Sequence, residues 1–463
     1  MEITEEIKDT LSKLSKVNLD FLEYVEKNPA CLERSNFKEL EELRRKYHLL
    51  QPWPTFLSKE KRDIFRDAGI KLFALMKSIP KRLFNNDIEK MSAYYALPAQ
   101  VLNLQMEGVT EEHLDSLIAR GDFILSASGL KCLEYNIAGN LGGWGLSLWE
   151  SLYLKNPLIL RFLEQYGVTI KNENFLEIFL EHCIESAENL VSLAGDSEIN
   201  VAMVSKKSEG RDPLGIYAYL DKLIKDLLKT KQSSLSGNVF VCDYPYLEIK
   251  DDWVYYKGKR IHVLTENYTG LVPPPIFKVF MSGHIRIMNG PVTGLLSSKL
   301  NLALLSEHED SGIFNDEERE AIKKYVPWSR RIVPGETVYG EKRVQMEDFV
   351  LSNKDNLVIK PSLGFGGDGV YIGRSTAESE WRRLVKTALR RKDYLVQEVV
   401  KSISPLYQYG EAGTARYDLA WGFFIFGSRY GGTFLRVIPQ KDGPRIVNTH
   451  QGAQISAVFD VDN

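Results

Sequence analysis

The amino-acid sequence predicts a mixed α/β protein of about three domains, because the chain has 463 residues and a domain averages about 150. Three stretches of different character support this prediction. Apolar residues recur at helical spacing through the first ~120 residues, and short strand-like runs then alternate with helical ones. The last ~110 residues are rich in glycine, aromatic and β-branched residues, which is typical of an antiparallel sheet.

Composition excludes several classes of protein. Lysine and arginine total 59 and aspartate and glutamate total 62, so the net charge of -3 offers no general attraction to nucleic acid or to an anionic membrane. The longest apolar run, residues 421–426, is far shorter than the ~20 residues of a membrane span. The four cysteines form no CxxC pair, which excludes a disulfide framework and a zinc ribbon. We therefore expect a soluble, cytoplasmic protein that binds neither nucleic acid nor membranes; its oligomeric state is not indicated.

The predicted elements divide the chain into three parts. Residues 1–119 form a helical N-terminal region, with helices expected at residues 5–25, 36–48, 59–76 and 110–119, the last capped by Thr110. Residues 120–295 hold strand-like runs at 123–125, 132–137, 201–204, 239–242 and 261–264, with helices at 175–193 and 216–230 between them. Residues 296–463 begin with a helix at 296–307 and continue as an antiparallel sheet with one helix at 377–391.

Four polar residues share one face of a predicted hairpin whose turn lies at residues 126–129. If the turn is centred on Ser128, Asp122 lies opposite Glu134 and Arg120 lies opposite Asn136. Side chains alternate between the two faces of a strand, so these four point the same way. The apolar residues of the hairpin are then expected on the core face: Phe123, Leu125, Leu133, Tyr135 and Ile137.

Two facing carboxylates repel each other unless a positive charge lies between them. A divalent cation bound by carboxylate and amide oxygens would meet this need, and Mg²⁺ is commonly held by one or two carboxylates together with substrate phosphates. Arg120 would then contact those phosphates. An exposed polar face with an ordinary cross-strand pair gives the same pattern, so the hairpin alone leaves both interpretations open.

A glycine-rich loop follows a predicted strand that ends in Lys360. Gly364, Gly366 and Gly367 lie in this loop, and a second strand begins at Val370. A dinucleotide fingerprint requires a helix at the loop, so it is excluded, and no Walker pattern is present. The protein-kinase version is disfavoured because no HRD or DFG motif follows. A glycine hairpin can still cover a triphosphate with its N–H groups while Lys360 supplies a point charge; a plain tight hairpin is the alternative.

Three further positions are candidates for ligand contacts. Lys299 opens a predicted helix, where it could contact a phosphate or adenine, or simply be solvated. Gln397 and Glu398 interrupt an apolar strand, whose edge could bind adenine through its backbone while Glu398 accepts from a ribose hydroxyl; a strand end turning into solvent is the alternative. Arg436 lies in a patterned strand, where an inward guanidinium needs an anionic partner such as a γ-phosphate or a substrate carboxylate. Arg416, on a neighbouring predicted strand, is a second candidate for that contact.

Taken in order, these motifs resemble the circularly permuted ATP-grasp ligases, whose best-known member is glutathionylspermidine synthase. The resemblance extends over roughly residues 110–455, and a permuted order places the Glu-x-Asn motif before the lysines and the glycine loop. No N-terminal amidase-like domain with a catalytic cysteine is found, so the substrates of that member are not carried over. The motifs that carry the resemblance are Arg-x-Asp at 120–122, Lys-x-x-Glu-x-Asn at 131–136, Ser-Ser-Lys at 297–299, Val-Ile-Lys-Pro at 358–361 and Val-Gln-Glu at 396–398.

The resemblance implies a permuted ATP-grasp fold with a helical N-terminal region and a small α/β domain, and it implies ATP and Mg²⁺ as cofactors. The implied activity is an ADP-forming ligase that joins a small-molecule or peptide carboxylate to an amine through an acyl phosphate. A non-catalytic ATP-binding protein and a small-molecule kinase are the alternatives. The implied residues are Asp122, Glu134 and Asn136 for the metal, Arg120 and Arg436 for catalysis, and Lys299, Lys360, Gly364, Gly366, Gly367, Gln397 and Glu398 for the nucleotide.

Overall fold

The computed structural model describes residues 4–33, 50–139, 141, 143–205, 215–266, 272–364, 366–408, 414–440 and 446–462. Helices and several sheets alternate along the chain, so the fold is mixed α/β, as predicted. The helix predicted at residues 36–48 lies outside the described residues. Among the helices that are described, none combines the length and the apolar character needed to cross a lipid bilayer.

Sixteen α-helices occur in the described ranges. The first six precede the predicted hairpin, and the remaining ten are distributed through the rest of the chain. In chain order they are α1 Glu5–Ser12, α2 Val17–Lys27, α3 Lys59–Phe84, α4 Ile88–Tyr95, α5 Ala99–Met106, α6 Glu111–Asp115, α7 Leu146–Tyr153, α8 Pro157–Gln165, α9 Phe175–Ala194, α10 Ile216–Thr230, α11 Pro274–Met281, α12 Thr293–Leu296, α13 Leu300–Glu307, α14 Asp316–Tyr325, α15 Met346–Ser352 and α16 Glu378–Arg391.

The strands of the described ranges form one parallel sheet, two larger antiparallel sheets and three small ribbons. In chain order they are β1 Thr55–Ser58, β2 Ile118–Ser126, β3 Gly129–Asn136, β4 Glu198–Val204, β5 Ser236–Cys242, β6 Glu248–Lys250, β7 Trp253–Tyr256, β8 Lys259–Arg260, β9 Val263–Glu266, β10 Arg286–Met288, β11 Ser329–Arg331, β12 Glu336–Tyr339, β13 Lys342–Gln345, β14 Leu357–Pro361, β15 Tyr371–Ile372, β16 Tyr394–Glu398, β17 Leu406–Gln408, β18 Thr414–Phe426, β19 Arg429–Pro439, β20 Gln454–Ser456 and β21 Val458–Val461.

The parallel sheet has the strand order β10-β9-β4-β5 and apolar side chains on both faces. Along β4, Met203 packs with α9 and α10, whereas Ala202 and Val204 pack with α11. This division follows from the alternation of side chains along a strand and explains why β4 is almost wholly apolar. The α/β section predicted for the middle of the chain is therefore present.

Two antiparallel sheets contain the late strands, and they provide the frame of the candidate site. The first has the order β11-β16-β14-β15, and α15 and α16 cover its apolar face. The second has the order β20-β19-β18-β2-β3, so the early hairpin β2–β3 pairs with a strand that follows it by nearly 300 residues. The antiparallel sheet predicted for the C-terminal part is present, and it also recruits this hairpin.

Helix α3 packs against the second antiparallel sheet and buries its apolar face. Phe65 of α3 contacts Trp421 and Phe423, with ring centroids 5.0 and 4.7 Å apart. The hydroxyl of Tyr135 donates to the backbone carbonyl of Gly69 over 2.7 Å. With one face of the sheet sealed by this helix, the polar residues of β2 and β3 are directed to the opposite face.

Two predicted helices are interrupted by local hydrogen bonds. The run expected at residues 5–25 divides into α1 and α2, because the hydroxyl of buried Ser15 accepts from the amide of Val17 over 3.2 Å and competes with the helical bond. The run expected at residues 296–307 divides into α12 and α13, with the hydroxyl of Ser298 accepting from Leu300 over 3.3 Å. The amide of Lys299 instead donates to the carbonyl of Ser362 over 2.8 Å, which ties this break to the end of β14.

The helix predicted at residues 110–119 ends at Asp115, because Ile118 begins β2 and pairs with Phe426. The predicted cap is present, since the hydroxyl of Thr110 accepts from the amide of His113 over 3.1 Å. The helix predicted at residues 377–391 is present as α16. The divisions into residues 1–119, 120–295 and 296–463 stay predictions.

The fully buried side chain of Asn301 holds the turn between α12 and α13. Its amide donates to the carbonyls of Leu295 and Leu296 over 3.1 and 2.9 Å, and it accepts from the hydroxyl of Tyr95 over 2.6 Å. We expect Asn301→Ala to leave three buried polar groups unpaired and to lower the free energy of unfolding by about 3 kcal/mol.

Thermal unfolding tests this expectation, with Tyr95→Phe removing only one of the three bonds and with Asn103→Ala as an exposed control. The midpoint should fall most for Asn301→Ala, less for Tyr95→Phe and not at all for Asn103→Ala. Equal midpoints for Asn301→Ala and the control would show that the turn is held by something else.

Candidate functional site

The register of the β2–β3 hairpin depends on a β-bulge. Ser126 pairs with Gly129, so the turn has two central residues, and that turn alone would set Asp122 opposite Leu133. The bulge between Asp122 and Phe123 shifts the pairing by one residue. Asp122 consequently lies opposite Glu134 and Arg120 opposite Asn136. The predicted pairing of these four residues is confirmed, although it arises from a bulge that the sequence did not predict.

The same bulge corrects the predicted position of Leu133. Leu133 was expected on the core face, but it is only half-buried and lines a cavity beside Asp122. The fully buried Cys132 lies opposite Phe123 instead. Because β3 carries one extra residue at the bulge, Leu133 lies in the apolar wall of the candidate site instead of in the core.

Asp122 is the centre of a buried ion-pair network. Its carboxylate accepts from Arg120 Nε over 2.7 Å and from Arg120 Nη2 over 3.1 Å, and it pairs with Arg436 Nη2 over 2.9 Å. The amide nitrogen of Asn136 donates to the same carboxylate over 3.2 Å. Burial alone would raise the pKa of Asp122, but the two guanidinium groups outweigh it and hold that pKa below its usual value. Asp122 is therefore ionised and serves both arginines.

Gly422 makes room for the Arg120 side chain. It lies on β18 directly opposite Asp122, and a Cβ at this position would come within 2.8 Å of Arg120 Cδ. Arg120 has little freedom to move away, because it binds Asp122 on one side and donates to the backbone carbonyl of Leu141 through Nη1. A glycine on the partner strand is thus required for the Arg120–Asp122 geometry.

Glu134 pairs with Lys299, which joins the hairpin to the break between α12 and α13. The distance from Lys299 Nζ to Glu134 Oε2 is 3.1 Å, and Nζ also donates to the carbonyl of Gly364 over 2.9 Å. Lys299 is 6% exposed. Lys299, which was predicted either to contact a phosphate or adenine or to be solvated, is therefore buried between the hairpin and the glycine loop.

Lys360 lies at the end of β14 and is buried among polar partners. Its ammonium group donates to Gln397 Oε1 over 2.7 Å and to the carbonyl of Leu133, the bulged residue, over 3.3 Å. Burial lowers the pKa of Lys360 to about 8, since the attraction of Glu134 only partly offsets it. An anion bound beside Lys360 would therefore favour its protonated form.

The glycine loop adopts backbone conformations that other residues rarely take. Gly366 and Gly367 have φ angles of 69° and 81°. A Cβ on Gly367 would lie 2.9 Å from Ile446, so the loop touches the C-terminal segment across the site. Gly364 contributes its carbonyl to Lys299, as described above. Gly367 of the loop thus lines the cavity, and the carbonyl of Gly364 contacts Lys299.

The candidate site is a cavity of about 140 Å³ between the two antiparallel sheets. Its polar wall combines carboxylates with basic groups, and its apolar wall consists of aliphatic side chains. The polar wall consists of Asp122, Glu134, Lys360, Gln397, Glu398, Arg436 and Asn448, and the apolar wall includes Ile124, Leu133, Val358, Ile372, Val399, Val400 and Ala420.

The charges around this cavity do not balance. Four cationic side chains, Arg120, Lys299, Lys360 and Arg436, surround the cavity. Its carboxylates are Asp122, Glu134 and the partly exposed Glu398, so one positive charge is in surplus when all are ionised. Arg436 Nε is buried and has no hydrogen-bond partner among the described residues. Buried charges of one sign are costly unless a counter-charge is present. The site therefore suits an anionic ligand.

The residues proposed for a metal fit that role in donor type. Glu134 offers a carboxylate, and Asn136 offers its amide oxygen because its nitrogen donates to Asp122. The two carboxylates are already neutralised by Arg120, Arg436 and Lys299, and no group of three or more His, Cys, Asp or Glu ligands occurs among the described residues. Mg²⁺ commonly takes one or two carboxylates and completes its shell with phosphate and water oxygens, so such a cation would need the anionic ligand.

The structure brings nearly all predicted site residues together. Arg120, Asn136 and Lys299 contact residues that line the cavity, Gly364 contacts Lys299, and the other predicted positions line the cavity or lie in its glycine loop. Arg416 is the exception, because its guanidinium pairs with Glu6 of α1 over 2.8 Å at the surface.

Several residues at the site were missed by sequence reasoning. Phe434 lies under both guanidinium groups, with each carbon Cζ 5.7 Å from its ring centroid. Ser329 supports the cavity wall by accepting from Gln397 over 3.0 Å, and Tyr339 donates to Glu398 over 2.8 Å. Neither their spacing nor their residue type distinguishes them, because their roles arise only from the pairing of distant strands.

The role of Gly422 can be tested through anion binding. We expect Gly422→Ala to displace Arg120 from Asp122 and to weaken the binding of inorganic tripolyphosphate by about tenfold, as Arg120→Gln should. The double variant should bind little worse than either single variant, because both changes act on the same ion pair. Isothermal titration calorimetry measures all four affinities. If Gly422→Ala weakens binding equally with and without Arg120, the proposed contact is wrong.

Comparisons with known proteins add little to this picture. No protein-family model and no curated protein matches the chain. Among solved structures, the chain is similar to a proposed gamma-glutamylcysteine synthetase from Methylobacillus flagellatus KT, with 11% sequence identity and a TM-score of 0.39. The match covers 84% of this chain and 87% of that chain. A likeness of this size supports no argument about substrate or mechanism, so a functional assignment depends on the site residues themselves.

Proposed function

We propose that the protein is an ATP-dependent ligase that joins a carboxylate to an amine and releases ADP and phosphate. The observation that carries the proposal is the surplus of positive charge at a cavity that combines a glycine loop with an apolar wall. A polyphosphate supplies the missing negative charge, and an aromatic base would pack on the apolar wall. The order of motifs in the sequence, which resembles permuted ATP-grasp ligases, supports the same function.

In the first proposed step, an oxygen of the substrate carboxylate attacks the γ-phosphorus of ATP, the bond to the bridging oxygen breaks, and ADP leaves. Lys299, Lys360 and the backbone of the glycine loop hold the phosphates in line for this attack. Arg120 and Arg436 lie where charge develops on the transferred group, and the N–H of Arg436 Nε, which has no partner among the described residues, can donate a hydrogen bond to that group. Positioning and charge stabilisation of this kind are the main contributions to phosphoryl transfer.

In the second proposed step, the amine nitrogen attacks the acyl carbon, a C–N bond forms, phosphate leaves with the electron pair of the C–O bond, and the amine releases its proton. No nucleophilic side chain is required. Mg²⁺, held by Glu134 and Asn136 together with phosphate oxygens, would neutralise charge on the phosphates. The glycine loop must move away from Ile446 to admit the nucleotide, because 140 Å³ is below the ~300 Å³ at which small-molecule pockets begin.

One assay tests the proposal against its alternatives. The protein is incubated with ATP, Mg²⁺ and a panel of amino acids and small carboxylic acids, with and without hydroxylamine, which traps an acyl phosphate as a hydroxamate. A ligase yields ADP together with a hydroxamate. A kinase yields ADP and a stable phosphorylated product, and a binding protein yields no ADP; either outcome contradicts the ligase.

Glu134 provides a direct test of the site. We expect Glu134→Gln to lower turnover by about 100-fold or more, because the neutral amide cannot balance the charge of Lys299 and binds a cation more weakly than a carboxylate, while it keeps the size of the side chain. Steady-state ADP formation measures the loss, and circular dichroism checks the fold. Glu347→Gln, on the exposed face of α15, is the matched control and should keep full activity. Full activity of Glu134→Gln would remove Glu134 from the chemistry.

The lowered pKa of Lys360 predicts how nucleotide binding depends on pH. Because burial depresses its pKa to about 8, Lys360 is protonated below that pH and loses its charge as the pH rises through it. An anion binds the protonated form, so affinity for a non-hydrolysable ATP analogue should fall by up to about tenfold per pH unit above 8.

Calorimetric titrations between pH 6 and about 9.5 measure this dependence. Lys360→Met should bind more weakly throughout and lose the dependence above pH 8, since the titrating group is gone. If Lys360→Met retained the same decline in affinity, another group would be responsible for it.

A further inference from the structure

A second and larger cavity lies beside the candidate site. Its volume is about 710 Å³, within the range of small-molecule pockets. The hairpin tip, the segment from Val326 to Trp328 and the residues that follow β16 form its walls. It shares only Glu398, Val399 and Val400 with the first cavity, and none of the ion-paired residues around Asp122 lines it.

One wall of the second cavity carries a lysine whose charge is not balanced locally. Lys131 follows the hairpin turn, is partly buried, and its ammonium group donates to the backbone carbonyl of Lys323 over 3.2 Å. Among the described residues no carboxylate lies within 4.0 Å of it. Burial lowers the pKa of Lys131 because its charged form is only partly solvated, although distant Glu398 and Glu309 oppose this effect.

Glu309, a glutamate that lacks a positive counter-charge, lines the same cavity. Glu309 follows α13 and is partly buried, and within the described ranges it forms neither an ion pair nor a hydrogen bond. Burial raises its pKa, and Asp310 adds to the rise, while Lys323, Arg330 and Lys131 act from a distance in the opposite direction. Lys131 and Glu309 therefore attract each other across the cavity but do not meet.

Aromatic residues form another part of the cavity wall. Trp328 and Tyr339 pack edge to face with ring centroids 5.2 Å apart, and Tyr339 is 36% exposed. Trp328 Nε1 donates to the carbonyl of Val338, so the indole orientation is fixed. Fixed aromatic surfaces of this kind bind apolar groups with little loss of conformational entropy.

We propose that the second cavity binds a small zwitterion with an apolar side chain, a free amino acid or a dipeptide, whose carboxylate pairs with Lys131 and whose ammonium group pairs with Glu309. One such ligand supplies both missing counter-charges at once, and its side chain covers the rings of Trp328 and Tyr339. A simple anion or cation would satisfy only one of the two groups. The proposal goes beyond the ligase function and does not depend on it, because binding is measured without nucleotide.

The test compares free and capped ligands by isothermal titration calorimetry on the full chain. The probes are L-phenylalanine, L-leucine, L-tryptophan and glycyl-L-phenylalanine, and for phenylalanine also the N-acetyl form, which lacks the ammonium group, and the amide, which lacks the carboxylate. At least one free probe should bind, and for phenylalanine either cap should weaken binding by about tenfold or more.

Two variants locate the charges. In Lys131→Met, free phenylalanine should bind about tenfold more weakly, and the amide, which lacks the carboxylate, should bind as well as the free form. In Glu309→Gln, free phenylalanine should again bind about tenfold more weakly, and the N-acetyl form, which lacks the ammonium group, should bind as well as the free form. Lys386→Met and Glu347→Gln, both at exposed positions outside the cavity, are matched controls and should bind like the unmodified protein.

Three results would overturn the proposal. The first is that none of the four free probes binds with a dissociation constant below about 10 mM, a level at which affinity is close to that of nonspecific contact. The second is that the N-acetyl and amide caps leave affinity unchanged in every protein, which would exclude charge recognition at both ends. The third is that Lys131→Met and Glu309→Gln leave probe binding intact and weaken binding of an ATP analogue, which would make the cavity part of the nucleotide site.

Discussion

The carboxylate of Asp122 is the interaction on which the candidate site depends. It is 3% exposed and it holds two guanidinium groups, so each arginine is buried only because this carboxylate is present. The groups come from β2 and β19, and Gly422 of β18, which lies between them in the sheet, admits the Arg120 side chain. The sheet and the site must therefore form together, because the ion pairs exist only when all three strands are paired.

The surplus of positive charge has a consequence for stability as well as for binding. A site whose cations outnumber its carboxylates is strained electrostatically when it holds no anion, and a bound anion stabilises the folded chain by the free energy of its own binding. The depressed pKa of Lys360 limits the strain, because part of the population can lose that charge near pH 8. The ammonium group donates to Gln397 Oε1 and to the Leu133 carbonyl, and these two hydrogen bonds keep it in place until an anion binds.

Much of the site was predictable from the sequence, because its chemistry is local. The polar face of the hairpin, the lysine at the end of β14 and the glycine loop each show as a short pattern of residue types. The bulge at Leu133 was not predictable, since a two-residue turn and a three-residue turn suit the same sequence until the sheet selects one. Gly422 and Phe434 lie about 300 residues from the hairpin they serve, and nothing in a single sequence indicates which strands will pair. Arg416 shows the reverse case, a plausible arginine whose strand directs it to Glu6 at the surface.

The two cavities can influence each other only through the wall that they share. Alternation along β16 buries Gln397 beside Lys360, whereas the next residue, Glu398, is partly exposed and held by Tyr339, which itself lines the second cavity. A ligand that packs on Tyr339 would compete with or strengthen its hydrogen bond to Glu398, and so would alter a residue of the candidate site. Because coupling between two binding equilibria is reciprocal, a nucleotide that engages Glu398 would change the second cavity to the same extent in free energy. The hydrogen bond between Tyr339 and Glu398 is therefore the contact through which such coupling would act.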